Sequence, residues 1–186
     1  MVFRRIQSVR VIAKSEIHPQ SEAKLQEIAR ILVDQAHNQA WAIDPLVAAK
    51  MNPANPADAS YEQFALAAEA EGFTVATHTT GLITAEALSG ADVLVLPHAS
   101  TDEWEKTVGS GSPVLADSEL ETIEAFVAAG GGLLILGETE QPKYGNNLNE
   151  LAGRFGVKIA NATVQDTERN FNDVPTWILG EFERLS

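Results

Sequence analysis

Side chains suited to acid–base chemistry stand directly after three apolar segments of this sequence. His37 follows the segment RILVD, whose last residue is Asp34, while His98 follows DVLVL and Glu138 follows LLIL. An imidazole beside a carboxylate supplies two groups of different pKa, which is what general acid–base catalysis requires. We therefore take His37, His98 and Glu138 as the catalytic candidates.

Each histidine also has a structural interpretation that involves no ligand. His98 follows Pro97 and would serve as a turn cap, and His37 would serve as a loop anchor. Two imidazoles and a carboxylate are a ligand set for a divalent metal ion, but no tight spacing such as HExxH occurs. We therefore expect no metal and no cofactor, and we keep both interpretations of the histidines.

Polar side chains that bind ligands in other proteins lie at the same segment ends. Residues 143–147 join LLIL to a predicted helix, and free N–H groups at a helix start favour an anion. Asn146 as a simple N-cap explains this segment equally well. The ligand-binding candidates are Asp34, Asn38, Ser100, Lys143, Tyr144, Asn146 and Asn147.

Five short apolar segments predict the strands that position these side chains. Their hydrophobicity is continuous instead of alternating, as in parallel strands that are covered on both faces. Residues 163–165 are a further, shorter candidate. The five segments are RILVD, FTVAT, DVLVL, LLIL and, at residues 157–159, VKI.

Helices are predicted between these strands from apolar periodicity and from capping residues. We expect Ser60 and either Asp117 or Ser118 to be N-caps, and we expect glycines to end the helices. The glycines at 130–132 precede a strand, so they fit a helix stop better than a phosphate loop. The predicted helices are Ser60–Gly72, Thr84–Leu88, Ser118–Ala129 and Asn146–Phe155.

The alternation of strands and helices predicts an α/β fold. We expect a three-layer sandwich with a mostly parallel, flavodoxin-like sheet of strand order 2-1-3-4-5 and helices on both faces. Ligands of such sheets bind at the carboxyl ends of the strands, where the strand order reverses between strands one and three. Because neighbouring strands lie about 4.8 Å apart, we expect His37 and His98 to face each other, with Glu138 on the far side.

The charge of the chain is strongly acidic and unevenly distributed. Thirteen basic residues stand against 26 acidic ones, for a formal net charge of -13. Residues 1–30 carry six basic and three acidic side chains, which leaves seven basic and 23 acidic for the rest. Such a surface repels phosphate backbones, so we exclude nucleic acid as a general partner and expect a protein or a small molecule instead.

One domain suits a chain of this length and composition. We expect an N-terminal arm with a short helix at residues 1–28 and the α/β domain at 29–186, and we leave open a truncated C-terminus and a homo-oligomer. No apolar run approaches the length of about 18 residues that a membrane span needs. We therefore expect no membrane association and a cytoplasmic location, because no signal peptide is visible.

The segments RILVDQAHNQ, GFTV, ADVLVLPH and AFVAAGGGLLILGE resemble the class I glutamine-amidotransferase-like superfamily over residues 29–160. The resemblance is greatest to non-catalytic or uncharacterised branches, including the domain of intraflagellar transport proteins and the ThuA-like proteins. In catalytic members a cysteine follows the strand after the glycine-rich stretch and pairs with a distant His and Glu. Here that turn reads Gly137-Glu138-Thr139, the chain has no cysteine, and its last histidine is His98.

The missing thiol and base exclude glutamine hydrolysis by the cysteine route. Thr139 or Ser100 would be the hydroxyl substitute for the thiol, but no Gly-x-Ser-x-Gly elbow is present. Our first hypothesis is therefore a non-catalytic ligand- or protein-binding domain, part of a larger protein. The alternative is a ThuA-like, sugar-related hydrolase or isomerase that uses His and carboxylate groups at the strand ends.

Overall fold

The structure, a computed structural model, describes residues 29–50, 52–108, 111–138 and 141–180. The predicted N-terminal arm, the helix expected at Ser21–Ile28 and the hydroxyl candidate Thr139 lie outside these residues.

A parallel sheet of four strands forms the centre of the described chain. Its strands lie in the order β2-β1-β3-β4, and every neighbouring pair is parallel. This arrangement confirms the broad α/β prediction and the positions of four apolar segments, with bounds shifted by one residue at most. The strands are β1 (Arg30–Asp34), β2 (Thr74–His78), β3 (Val93–Leu96) and β4 (Gly132–Ile135).

The predicted fifth strand is not formed, because residues 157–159 are in no strand. The side chain of Asn149 occupies the backbone of Ile159 instead, accepting its N–H at 2.7 Å and donating to its C=O at 3.0 Å. Residues 163–165 likewise form no strand. The C-terminal part of the described chain folds into an antiparallel pair, β5 (Asn170–Phe171) and β6 (Val174–Ile178).

Four α-helices accompany the sheet: α1 (Pro45–Ala48), α2 (Glu62–Ala70), α3 (Asp117–Ala128) and α4 (Leu148–Arg154). Short 3-10 turns lie at Pro56–Ala59 and Gln141–Tyr144. The glycine stops at Gly72 and Gly130 are confirmed, and both adopt the positive φ that a helix C-terminus favours.

Three local predictions about the helices are wrong. Residues 84–88 form turns instead of a helix, because five residues are too few to make helix formation favourable. Ala116 takes the N-cap position of α3 in place of Asp117 or Ser118, and Asn147 takes that of α4 in place of Asn146. At α2 the N-cap position is Tyr61, although the Ser60 hydroxyl accepts a hydrogen bond from the N–H of Glu62.

Two hydrophobic clusters form on alternate residues of the central strands. The larger contains Leu32, Leu94 and Leu96 with residues of α3 and α4, among them Leu120 and Leu151, which are fully buried. The smaller contains Ile31, Val33 and Val95, against which Ala68 of α2 packs. Because successive strand residues point to opposite faces, the two clusters lie on opposite sides of the sheet.

No helix in the described ranges combines the length and the apolar run that crossing a lipid bilayer would require.

Candidate functional site

The loops that follow β1 and β3 run side by side, as the predicted site required. The N–H of Ala40 donates to the C=O of His98 at 3.2 Å, and the N–H of Ser100 donates to the C=O of Asn38 at 3.2 Å. Residues 39 and 99 thereby form an isolated antiparallel bridge. The two histidine-bearing loops are therefore neighbours, but their imidazoles have different partners.

His37 is held between two buried carboxylates. Its Nδ1 lies 2.8 Å from Oδ2 of Asp34, and its Nε2 lies 2.9 Å from Oε1 of Glu119. The side chains of all three are nearly inaccessible, with at most 6% of their surface exposed. An imidazole with an acceptor on each nitrogen binds both as an imidazolium, with a proton on each ring atom. Burial opposes the charged form, but the hydrogen bonds and charges of Asp34 and Glu119 outweigh it, so the pKa of His37 is raised.

Glu119, which sequence reasoning did not select, completes this network. Its carboxylate also accepts the N–H of Ile83 at 2.7 Å and that of Ala116 at 2.8 Å. The second contact is half of a capping box at the start of α3, a pattern that the alanine at the N-cap position conceals in the sequence. Glu119 is thus a positioning residue that connects the exit of β1 with the start of α3.

Gln39 supports the same network from the β1 loop. Its amide donates to Oδ2 of Asp34, and its Oε1 accepts the N–H of His37 at 2.9 Å. The N–H of Ala36 donates to the other oxygen of Asp34 at 3.1 Å. Since every polar atom of the His37 ring is used inside the protein, this histidine is a structural element of the fold.

His98 lies in a second group of side chains, which we call the His98 cluster: His98, Trp104, Glu105, Lys143 and Tyr144. Nε2 of His98 lies 3.0 Å from Oε2 of Glu105, and Tyr144 meets the imidazole edge-on with ring centroids 4.3 Å apart. Nδ1 of His98 is buried and has no hydrogen-bond partner among the described residues. A buried, unpaired ring nitrogen costs about 1–3 kcal/mol and calls for a partner.

The charges in and around this cluster favour a neutral imidazole. Burial lowers the pKa of His98, against the charge of Glu138, which raises it. Burial likewise raises the pKa of Glu105, and the charge of Lys143 opposes that effect. The pKa of Tyr61 rises to about 12 through burial, then through the charges of Glu138 and Glu105. Glu138, although exposed, is therefore electrostatically coupled to both rings.

Aromatic rings surround the cation of the cluster. Lys143 Nζ lies 5.0 Å from the ring centroid of Tyr144 and 5.8 Å from that of Trp104, which is within range of a cation–π interaction. Trp104 is 54% exposed. Trp41 and Tyr61 form a further ring pair, with centroids 5.3 Å apart. The cluster can thus offer a ligand aromatic faces, carboxylates and one imidazole nitrogen.

Two ligand candidates after β1 and β3 serve the loops themselves. Asn38 has a positive φ of 57°, and its amide nitrogen donates to the C=O of Ser100 at 2.8 Å, while its oxygen accepts from Thr107. Ser100 is fully buried, and its hydroxyl donates to the C=O of Thr101. The Ser100 hydroxyl thus has a partner other than an imidazole.

The two asparagines before α4 also bind protein backbone. Asn146 donates to the C=O of Ala99 at 2.6 Å and accepts from the side chain of Gln141 at 2.8 Å. Asn147 accepts the N–H of Leu115 at 2.8 Å and donates to its C=O at 2.9 Å. These contacts favour the capping and bracing interpretation of residues 146–147 over an anion site.

The described part of the chain contains no group of three or more His, Cys, Asp or Glu side chains arranged to hold a metal ion.

Comparison with protein-family models, with curated proteins and with solved structures found no match for this chain.

Proposed function

We propose that this chain is a non-catalytic, amidotransferase-like binding domain and that the His98 cluster is its ligand site. The observation that carries the proposal is the buried, unpartnered Nδ1 of His98 at the carboxyl end of the sheet. Parallel α/β sheets bind ligands at that end, beside the strand-order reversal. A ligand N–H or O–H placed at Nδ1 would complete the hydrogen bonding of the ring.

The superfamily assignment is part of the same proposal. The observed order β2-β1-β3-β4 is the first part of the flavodoxin-like order 2-1-3-4-5, and apolar clusters lie on opposite sides of the sheet. A fifth strand beside β4 and helical layers on both faces would complete the three-layer sandwich. The turn after β4, where catalytic relatives carry their cysteine, here presents Glu138 to solvent.

The commitments of the polar side chains favour binding over catalysis. His37 is fixed between two carboxylates and the Ser100 hydroxyl donates to a backbone carbonyl, so neither is poised as a base or a nucleophile. The net charge of -13 favours a neutral or cationic ligand over an anionic one.

One observation favours the alternative, a ThuA-like hydrolase or isomerase. His98 is paired with Glu105 at 3.0 Å and its pKa is lowered, so its imidazole is neutral near pH 7. A neutral imidazole oriented by a carboxylate is the usual arrangement of a general base. The base would act through Nδ1, the atom that a bound ligand would meet in the first proposal.

A single NMR experiment separates these two functions. A panel of small amines, amides, polyols and nucleosides is mixed with the wild-type protein, and saturation transfer reports which compounds bind. We expect at least one binder, weakened about tenfold or more in His98→Phe, because the variant keeps an aromatic ring but loses both nitrogens. His78→Gln, at the exit of β2, is the matched control and should bind normally.

The same tubes are measured again after a day of incubation. Unchanged compound spectra support a binding domain. Conversion of a compound by the wild type, abolished in His98→Phe, would establish the enzymatic alternative, and the absence of any binder would contradict both.

A further inference from the structure

A second cavity, separate from the His98 cluster, lies beside the free edge of β4. It measures about 870 Å³, within the range of about 300–1,000 Å³ typical of small-molecule pockets. Its lining is mostly apolar. The large apolar side chains that line it are Ile135, Val157, Ile159, Val164, Trp177 and Ile178.

The walls of this β4-edge cavity are fixed by specific contacts. Asn149 of α4 holds Ile159 in place through the two hydrogen bonds to its backbone. Trp177 of β6 stacks on Phe171 of β5, with centroids 6.0 Å apart and an interplanar angle of 23°. Trp177 is 56% exposed and Val164 is 59% exposed, so large apolar surfaces face an open space. Exposed apolar surface of this kind marks a binding site more often than an ordinary surface.

The polar groups of the lining are few and carry one sign of charge. Glu138 is the single ionisable residue that lines the cavity, and Thr163 and Thr176 supply hydroxyls. Lys158 stands between two lining residues but does not line the cavity itself. An occupant that matches this lining has a hydrocarbon body and a positive group close to Glu138.

We propose that the β4-edge cavity binds a small apolar amine. The hydrocarbon part lies against Ile135, Ile159 and Trp177, and the ammonium group lies beside the carboxylate of Glu138. This site does not depend on the ligand proposed for the His98 cluster, because only Glu138 borders both.

The test uses three chain-matched probes: octylammonium, octanol and octanoate, each below the concentration at which it self-associates. Each probe is titrated into the wild-type protein while tryptophan fluorescence is recorded, since Trp177 lines the cavity. We expect octylammonium to bind most tightly and octanoate at least tenfold more weakly. Trp177→Phe should lose the fluorescence change, which assigns the signal to this cavity.

Two exposed substitutions test the role of charge without disturbing the core. Glu138→Gln should weaken octylammonium about fivefold, to the level of octanol, since an exposed charge pair contributes up to about 1 kcal/mol. Val164→Lys should reverse the preference in favour of octanoate. Equal binding of the three probes, or an unchanged preference in both variants, would overturn the proposal.

His98→Phe separates this proposal from the first. Octylammonium binding that persists in His98→Phe supports the β4-edge cavity, whatever the outcome for the His98 cluster. Loss of octylammonium binding in His98→Phe would place the amine at the His98 cluster and refute the second site.

Discussion

His37 Nε2 lies 2.9 Å from Oε1 of Glu119, and this contact joins the exit of β1 to the first turn of α3. Asp34 completes the arrangement from the other side of the ring at 2.8 Å. Two carboxylates facing one imidazolium inside a protein stabilise the fold only while all three are present, because a buried charge without its partner is costly. The network therefore predicts large effects of single substitutions.

Glu119→Ala should lower the free energy of unfolding by about 3–5 kcal/mol. The substitution leaves the His37 ring and the N–H groups of Ile83 and Ala116 without their acceptor. Glu119→Gln retains one acceptor oxygen and should lose less. Urea unfolding monitored by circular dichroism measures both, with Glu121→Ala, an exposed neighbour on α3, as the matched control.

The control should change stability by no more than about 0.5 kcal/mol. If Glu119→Ala unfolds at the same urea concentration as Glu121→Ala, the carboxylate of Glu119 has no structural role.

His37 should make the protein less stable as the pH rises. Its pKa in the folded state is raised above the ordinary value of 6.5. The stability that it contributes is therefore complete below pH 6.5 and is lost as the pH increases through the folded-state pKa. His37→Gln lacks this contribution, so the difference in unfolding free energy between wild type and variant should shrink between about pH 5.5 and about pH 9.

His98 contributes with the opposite sign, since its pKa is lowered and its contribution is lost on acidification. It is present in both wild type and His37→Gln, so it cancels in the difference. A difference that is constant with pH, or that widens as the pH rises, would show that His37 is not charged between its carboxylates.

Glu138→Gln should lower two pKa values at once. The negative charge of Glu138 raises the pKa of Tyr61, which is about 12, and that of His98. Its removal favours the deprotonated form of both groups, so both pKa values should fall. Ultraviolet titration of tyrosine and two-dimensional NMR of the histidine rings measure the two shifts.

Glu71→Gln, at the exposed end of α2, is the control and should leave both values in place. A shift in one group alone would mean that Glu138 does not lie between the two rings.

The sheet was predictable from the sequence because its signal is local. The run of apolar residues in β1 and β3 requires burial on both faces, and that requirement alone fixes a parallel sheet. The clustering of Asp34 with His37 follows from the same argument, since the two residues are three positions apart at one strand end.

The site could not be predicted in full, because its decisive contacts are distant in sequence. Glu119 reaches His37 across more than eighty positions, and nothing in the first turn of α3 distinguishes its carboxylate from Asp117 beside it. The fifth strand failed for a similar reason. The hydrogen-bonding capacity of the Ile159 backbone is taken by the side chain of Asn149, which propensity does not reveal.

Replacement of glycine by alanine should have opposite effects at two positions. A Cβ on Gly111 would lie 1.9 Å from the carbonyl oxygen of Ala36, inside the loop that carries His37. A Cβ on Gly153, within α4, would meet no atom within 4 Å. Gly111→Ala must displace backbone and should destabilise the protein by several kcal/mol, on the order of 3. Gly153→Ala should stabilise it by about 0.5–1 kcal/mol, because alanine loses less conformational freedom in a helix. Thermal unfolding of the two variants checks the signs, and an equal shift in both would show that the loop after β1 does not lie against Gly111.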